Sequence, residues 1–530
     1  PPGIPEPLWS RGLGDVYKRQ VANAILLAAT TTGTITAAID TDESVDSLKT
    51  LYDTGETNAY TITITSETAD TQSSTAEEFN AINNATSLAV NATSVTALAS
   101  SNISDIKTLL TAGNDTNQFT ATSFGSLATV TVADTTLDVS DLNDSIAQAN
   151  TATGATTTSF TITSVDTINA GTAAEFTTLL GYESGSQISI TDQNLTVDSG
   201  TMSLANAVAL SATTSGTVTG EITSGTTISA MLDSTTGLKD TGTVAAQALT
   251  ITVASGDAEA TAGNLTSLYG KTTVAVDASA VTQITGSVDA ANIVYAAGAS
   301  EITGLGNETV VTTDTSLSDV TTLNTLDGNT TGTVNAASVN SITGTLAKLL
   351  TAYGSNGITG LGNETISVSD TGGGSSLAAS DLNSLDSKTS GTITTANGLV
   401  TLTGTVAALN TAYGSAGLSI QGDEAITISD TTVDAEALNN LNNYTSGVID
   451  ADTLTKVTGT LADVNVAFAA DAASSATISG LGDQDVELTD TNVLAADLNT
   501  LNGYTGGTCL LYTSDAADEG LGVDLGGRRI

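Results

Sequence analysis

The chain has 530 residues and a formal charge of -45, with 57 acidic side chains against 12 basic ones and no histidine. Nucleic-acid binding depends on neutralising phosphates with Lys and Arg, so so acidic a surface repels nucleic acid and anionic membranes, and multivalent cations are its natural counter-ions. With no His and a single Cys at position 509, imidazole bases, His/Cys zinc sites and disulfides are excluded.

In chain order, the first feature is "SRGLGDVYKRQ" (Ser10 to Gln20), which contains the only arginines before Arg528 and follows Trp9 and the four prolines at 1, 2, 5 and 7. The other end breaks in the same way, with "CLLYTSDAADE" and "GLGVDLGGRRI" running from Cys509 to Ile530. Both resemble the conceptual translation of transposase-type sequencing-library adapters. "DVYKRQ" reads back to GAT GTG TAT AAG AGA CAG and "CLLYTS" to TGT CTC TTA TAC ACA TCT, reverse complements through their shared portion. Residues 1–20 and 509–530 are therefore set apart from fold reasoning. The alternative is a genuine basic anchor at each terminus. The intervening stretch, Val21 to Thr508, is expected to be a fragment open at both ends.

Hydrophobic residues make up 39% of the chain but aromatics only 3%, which suits a thin, repeated core rather than a broad globular one. Strand-like "YTITITSE" (Tyr60 to Glu67) precedes helix-like "TAEEFNAINNA" (Thr75 to Ala85), and "ATVTVAD" (Ala128 to Asp134) precedes "VSDLNDSIAQA" (Val139 to Ala149). "ALTITVAS" (Ala248 to Ser255) precedes "TAGNLTSLYG" (Thr261 to Gly270). "TAEE" (Thr75 to Glu78) and "TAAE" (Thr172 to Glu175) predict capping boxes.

From residue 285 to 508 the repetition is explicit. "ITGLGNETVVTTDT" at Ile302 returns as "ITGLGNETISVSDT" at Ile358, "LSIQGDEAITISDT" at Leu418 and "ISGLGDQDVELTDT" at Ile478, a period of about 56 to 60 residues. "LNTLDGNTTGTV", "LNSLDSKTSGTI" and "LNNLNNYTSGVI" begin at Leu323, Leu382 and Leu438, and "ITGTLAKLLTAYG" at Ile342 is echoed by "LTGTVAALNTAYG" at Leu402. Each period holds two halves. One is a strand such as "ETISVSD" followed by a helix such as "DAEALNNLNNYTSG", ending near Gly447. The other is a strand such as "GTVNA" followed by a helix with an apolar stripe through Leu346, Leu349, Leu350 and Tyr353. Roughly sixteen β-α units across 21–508 predict a single α/β solenoid, a parallel sheet of short strands covered by short helices. Each buried Val, Ile or Leu contributes about 1.5 to 3 kcal/mol. Tandem all-β immunoglobulin-like domains are the alternative.

Asp314, Asp370, Asp430 and Asp490 mark one repeated position, and Asp277, Asn335 and Asp450 are expected at comparable strand ends between them. Stacked carboxylates at strand spacing suit Ca²⁺. Asp277, Asp314, Asp370, Asp430, Asp450 and Asp490 are therefore the candidate metal ligands. The competing reading makes each a turn aspartate that starts the next helix. "GLGNE" (Gly304 to Glu308 and Gly360 to Glu364) lacks the Lys and spacing of a phosphate loop and reads as a repeat turn. Threonine runs such as "TITIT" (Thr61 to Thr65) raise ice binding as a minor alternative, against the plain β preference of Thr. Asn-x-Ser/Thr matches such as Asn84 and Asn91 are expected by chance, and no catalytic constellation interrupts the repeat.

On "GLGNE…SDT", "LNTLDGNTTGTV" and "ITGTLAKLLTAYG", together with its composition, the chain resembles the long acidic Thr/Ala/Gly-rich repeat proteins of bacterial cell surfaces. These include large adhesins and surface-layer-like proteins of marine bacteria and cyanobacteria. The resemblance implies an extracellular structural or adhesive segment without catalytic activity or membrane insertion in this stretch. Other surface components, glycans or neighbouring cells are the implied partners, and Ca²⁺ the implied stiffener. The alternative is the repeat region of a secreted calcium-binding toxin-like or carbohydrate-acting protein whose active domain lies elsewhere.

Overall fold

The computed structural model describes residues 18–54, 58–65, 72–155, 157–240, 247–370, 376–395 and 401–511. Short strands alternate with short helices throughout, and every ladder between its strands is parallel. Immunoglobulin-like sandwiches are antiparallel, so the α/β solenoid architecture is the one observed. The chain divides into two compact units: Pro1–Ala258 with Asn264–Ala280 and Ala297–Gly304, and Glu259–Gly263 with Val281–Ala296 and Leu305–Ile530.

Unit one pairs Ala97–Ser101, Thr129–Val132 and Ser159–Thr161 in one sheet, and Thr136–Asp138, Thr167–Thr172, Asn194–Met202, Val218–Ile222 and Gln247–Thr250 in another. Its ladders shift register between Leu98 and Ser101, Ile168 and Gly171, and Thr219 and Glu221. Phe79, Phe119, Phe124 and Phe176 are completely buried. The Phe124 ring meets Phe119 and Phe79 edge-on at centroid distances of 5.1 and 6.1 Å. Both expected capping boxes form, Thr75 with Glu78 and Thr172 with Glu175.

Unit two alternates a long and a short coil. A long coil runs Ile358–Thr359, Thr365–Val368, Ser376–Ala378 and the helix Ala379–Asp386. The next, short coil runs Ile393–Thr395, Thr401–Gly404 and the helix Val406–Gly414. One long and one short coil make the sequence period. Each half thus holds more strands than its apolar alternation suggested: "GTVNA" supplies only Val334–Asn335, and Ser341–Gly344 is a second strand. The stripe of the 346–354 helix also rotates slightly. Leu346, Leu349 and Ala352 are buried, whereas Leu350 and Tyr353 are half-buried at its flank.

The ladders advance by fewer residues per coil than the helices do. Ile342 pairs with Ile366, 24 residues on, while the helices starting at Leu346 and Ala379 are 33 apart. Each column of strands therefore drifts backwards around the coil. One five-stranded sheet begins at Ser316–Leu317, just before a helix, and ends at Leu418–Ser419, just after one. The next begins at Ser376–Ala378.

Of the adapter-like stretches, Lys18–Arg19 and Cys509–Leu511 form edge strands. An open sheet edge presents N–H and C=O groups to any extended chain, so this pairing is indifferent to the origin of the residues.

Candidate functional site

The repeated aspartates fall into two sets with different tasks. Asp314, Asp370 and Asp430 each accept, through Oδ2, the backbone N–H of the first residue of a helix, Val288, Leu346 and Val406, at 2.7 Å. Asp490 does the same for Leu461. The competing turn reading has such an aspartate start the helix that follows it; the helix it caps is the one in the preceding coil, 24 to 29 residues back. That N–H is one of the donors a helix start leaves unsatisfied, and the negative charge complements the helix dipole. Ser287, Thr405 and Thr460 cap the same starts locally, accepting the N–H of Ala290, Ala408 and Asp463. The starts at Val288, Val406 and Leu461 are thus held from two coils, whereas Thr345 makes no such local cap at Leu346.

The second set makes turns. The side chains of Asp277, Asn335 and Asp450 accept the N–H two residues on, from Ser279, Ala337 and Asp452, at 2.9, 3.0 and 3.1 Å. The two sets do not alternate in one row. Asn335 pairs with Val311 and Asp450 with Thr427, in each case three residues before the capping aspartates Asp314 and Asp430. Among the described residues no group of three or more Asp, Glu or Cys side chains is placed to share a metal ion.

A third carboxylate, outside the sequence-derived candidates, is the most deeply placed. Glu308 and Glu364 are completely buried and Glu424 is 1% exposed. The backbone N–H of Gly306 donates to both carboxylate oxygens of Glu308 at 3.1 and 2.9 Å, and that of Gly362 to both of Glu364 at 3.0 and 2.8 Å. Gln421 and Gly422 serve Glu424 at 3.0 and 2.9 Å. A phenol from the preceding helix completes each set, Tyr295, Tyr353 and Tyr413 donating at 2.9, 2.6 and 3.2 Å. The "GLGNE" turn is therefore an anion cradle, filled by the chain's own glutamate. Gly306 and Gly362 adopt φ of 131° and 144°, conformations in which L side chains are strained. Burial, and the facing carboxylate, push all three phenols well above the usual tyrosine range.

The fourth copy lacks both partners at once. Phe468, 1% exposed, stands where Tyr353 and Tyr413 stand, and Gln484 replaces the glutamate. The Gln484 amide donates to the Leu454 carbonyl at 3.2 Å and accepts from the Asp483 N–H at 3.1 Å. A buried carboxylate is costly unless fully hydrogen-bonded, so loss of the phenol and neutralisation of the acid belong together. The paired change Tyr to Phe and Glu to Gln is visible in the sequence and was the signal for the clip.

The "TTG" and "TSG" turns lock onto the same residue. Thr330 and Thr445 donate through Oγ1 to the main-chain carbonyls of Glu308 and Glu424 at 2.8 and 3.1 Å, as does Thr505 to Gln484 at 3.0 Å. A Cβ on Gly332, Gly391 or Gly447 would lie 2.2, 1.9 or 2.0 Å from the carbonyl oxygen of Glu308, Glu364 or Glu424. Gly447 is thus required by close approach; the helix stops earlier, at Asn442.

Unit one contains a polar cleft of about 520 Å³ lined by Ser159, Thr161, Thr163, Glu183, Ser189 and Asp192 among others. Glu183 and Asp192 are the acidic side chains among its lining, and the chain has no histidine. Among the described residues no helix is long and apolar enough to cross a membrane.

No protein-family model matches the chain, and no curated protein matches it.

Proposed function

We propose that this chain is an extracellular structural or adhesive repeat segment of a large bacterial surface protein, a spacer with no catalytic role. The observation that supports the reading most directly is the use to which the recurring carboxylates are put. Asp314, Asp370, Asp430 and Asp490 hold helix starts of neighbouring coils, and Glu308, Glu364 and Glu424 hold turns. Groups that resemble chemistry in the sequence serve coil-to-coil cohesion. Short-range stacking of this type lets a chain gain length by adding coils, which is what a stalk needs. The acidic, Lys-poor exterior resists collapse onto anionic surfaces.

Recovery of the complete reading frame from source DNA by long-read sequencing tests the proposal. Expected are further coils of the same pattern, with export and anchoring segments outside them. A catalytic domain whose active site incorporates these coils would overturn it, as would a ligand that protects one discrete patch of the purified chain in hydrogen exchange.

A further inference from the structure

The helix Ala495–Asn502 in unit two belongs to the series Val320–Asn329, Ala379–Asp386 and Ala435–Asn442. In those earlier helices one face is buried by the next coil: Val320, Leu323 and Leu326; Ala379, Leu382 and Leu385; Ala435, Leu438 and Leu441. In the 495–502 helix only Leu501 is buried, Leu498 is half-buried and Ala495 is exposed. Leu494, immediately before it, is 71% exposed.

Two further marks identify what fits this face. Each earlier helix extends an asparagine to a backbone carbonyl of the next helix: Asn324 to Lys348 at 3.0 Å, Asn383 to Ala408 at 2.9 Å and Asn439 to Asp463 at 2.9 Å. Asn499 occupies the same place in the series, is exposed, and makes no such bond among the described residues. Each earlier helix also has a glycine of the next coil pressed on its first residue. A Cβ on Gly344, Gly404 or Gly459 would lie 2.4, 3.3 or 3.1 Å from side-chain atoms of Val320, Ala379 or Ala435. Those glycines sit in "ITGTL", "LTGTV" and "VTGTL", starting at Ile342, Leu402 and Val457, and residues 509–530 contain no Thr-Gly-Thr.

We propose that the face formed by Val493, Ala495, Leu498 and Asn499 is a docking surface for one further short coil of this repeat. Its strand enters as apolar-Thr-Gly-Thr, with glycine over Ala495. Its helix then begins with Leu or Val, covers Leu498, and offers a third-residue carbonyl to Asn499. The argument is continuity: the same interface is made at every earlier member of the series. This deepens the repeat-segment reading and rests on it.

The test replaces residues 509–530 of the full chain with a second copy of residues 449–472, which carries "KVTGTLADV". Amide exchange across 493–502 should slow by about tenfold or more, as expected for a segment moved from an open end to an interior position, and the protein should remain a monomer. Leu498→Asp in the same chimera should abolish the slowing while leaving exchange across 435–442 unchanged. Three results would overturn the proposal: no slowing, equal slowing with a scrambled tail of the same composition, or a parent chain that already protects 493–502 by dimerising. None of these touches the full-length reading frame, so the docking surface and the spacer role can fail separately.

Discussion

In unit one, Thr122, Phe124, Ala170 and Ser186 adopt positive φ, whereas in unit two, among the described residues, glycines alone do so. The difference follows from what fills each core. Unit one packs phenylalanine rings, and its backbone bends around them: Phe124 has φ 58°, and a Cβ on Gly113 would lie 2.8 Å from its ring. Unit two packs rows of Ile, Val, Leu and Ala, and its sharp turns are made by glycine and held by the glutamate-tyrosine clip. The devices between coils are nevertheless shared. In unit one, Asp134 and Asp257 cap Ile103 and Ile228 of preceding coils at 2.7 and 2.8 Å, and Asn80 and Asn143 reach the carbonyls of Asp105 and Glu175. Thr214 donates to the main-chain carbonyl of Gln193 at 2.6 Å, the unit-one form of the threonine lock. Stacking chemistry is thus independent of core composition, which is why it persists where the visible repeat fades.

This contrast can be broken from either side. The largest effect is expected in unit one, where Phe119→Ala removes a completely buried ring and should cost about 3 to 5 kcal/mol. Hydrogen exchange should then show faster opening around residues 90–130 while unit two keeps its own protection. In unit two, Tyr353→Phe leaves Glu364 buried with one donor fewer and should cost about 1 to 3 kcal/mol. Adding Glu364→Gln should recover part of that loss by recreating the Phe468 and Gln484 arrangement. A double variant no more stable than Tyr353→Phe alone in calorimetry would show that the two positions are uncoupled. Asp370→Ala should cost about 1 kcal/mol, the usual value of a lost helix cap. Its signature is faster exchange at the start of the helix at Leu346, a coil away from the substitution.

Alkaline titration separates the units more gently. Tyr295, Tyr353 and Tyr413 have phenols raised above the ordinary value near 10, so their contribution is complete below that pH. As pH rises past it, the unfolded chain releases these protons and the folded one does not, so stability falls. Unit two should lose stability faster than unit one, which has Tyr60 and Tyr182 raised by burial. The triple Tyr→Phe variant should flatten that difference in calorimetry. The smallest effect concerns cations. With the capping aspartates engaged by helix N–H groups, Ca²⁺ and Mg²⁺ at equal concentration should raise the melting temperature equally, by screening. A rise specific to Ca²⁺ and reversed by chelator would identify the aspartate column as a calcium site.

The alternation of strand and helix, the two halves of each period and both capping boxes were legible because they depend on local patterns. What escaped reading depends on residues a coil away. Nothing near Asp370 in sequence reveals that its partner is Leu346 N–H, because stacking brings the two together. Glu364 reads in sequence only as part of a repeat turn, since its burial comes from Tyr353 above and the Gly391 turn below. The strands Ser341–Gly344 and Ser376–Ala378 escaped because a few residues are too short to show a period.

The backward drift of the ladders has a mechanical consequence. Between successive coils from Val334 to Ser479, each junction is bridged by strands of two different sheets, as where Val334 pairs with Ile358 and Ser341 with Thr365. The sheets overlap like courses of brick, with no vertical seam running past every coil. Tension along such a stack cannot unzip one sheet edge from end to end. It must shear two ladders at each joint before the next is loaded.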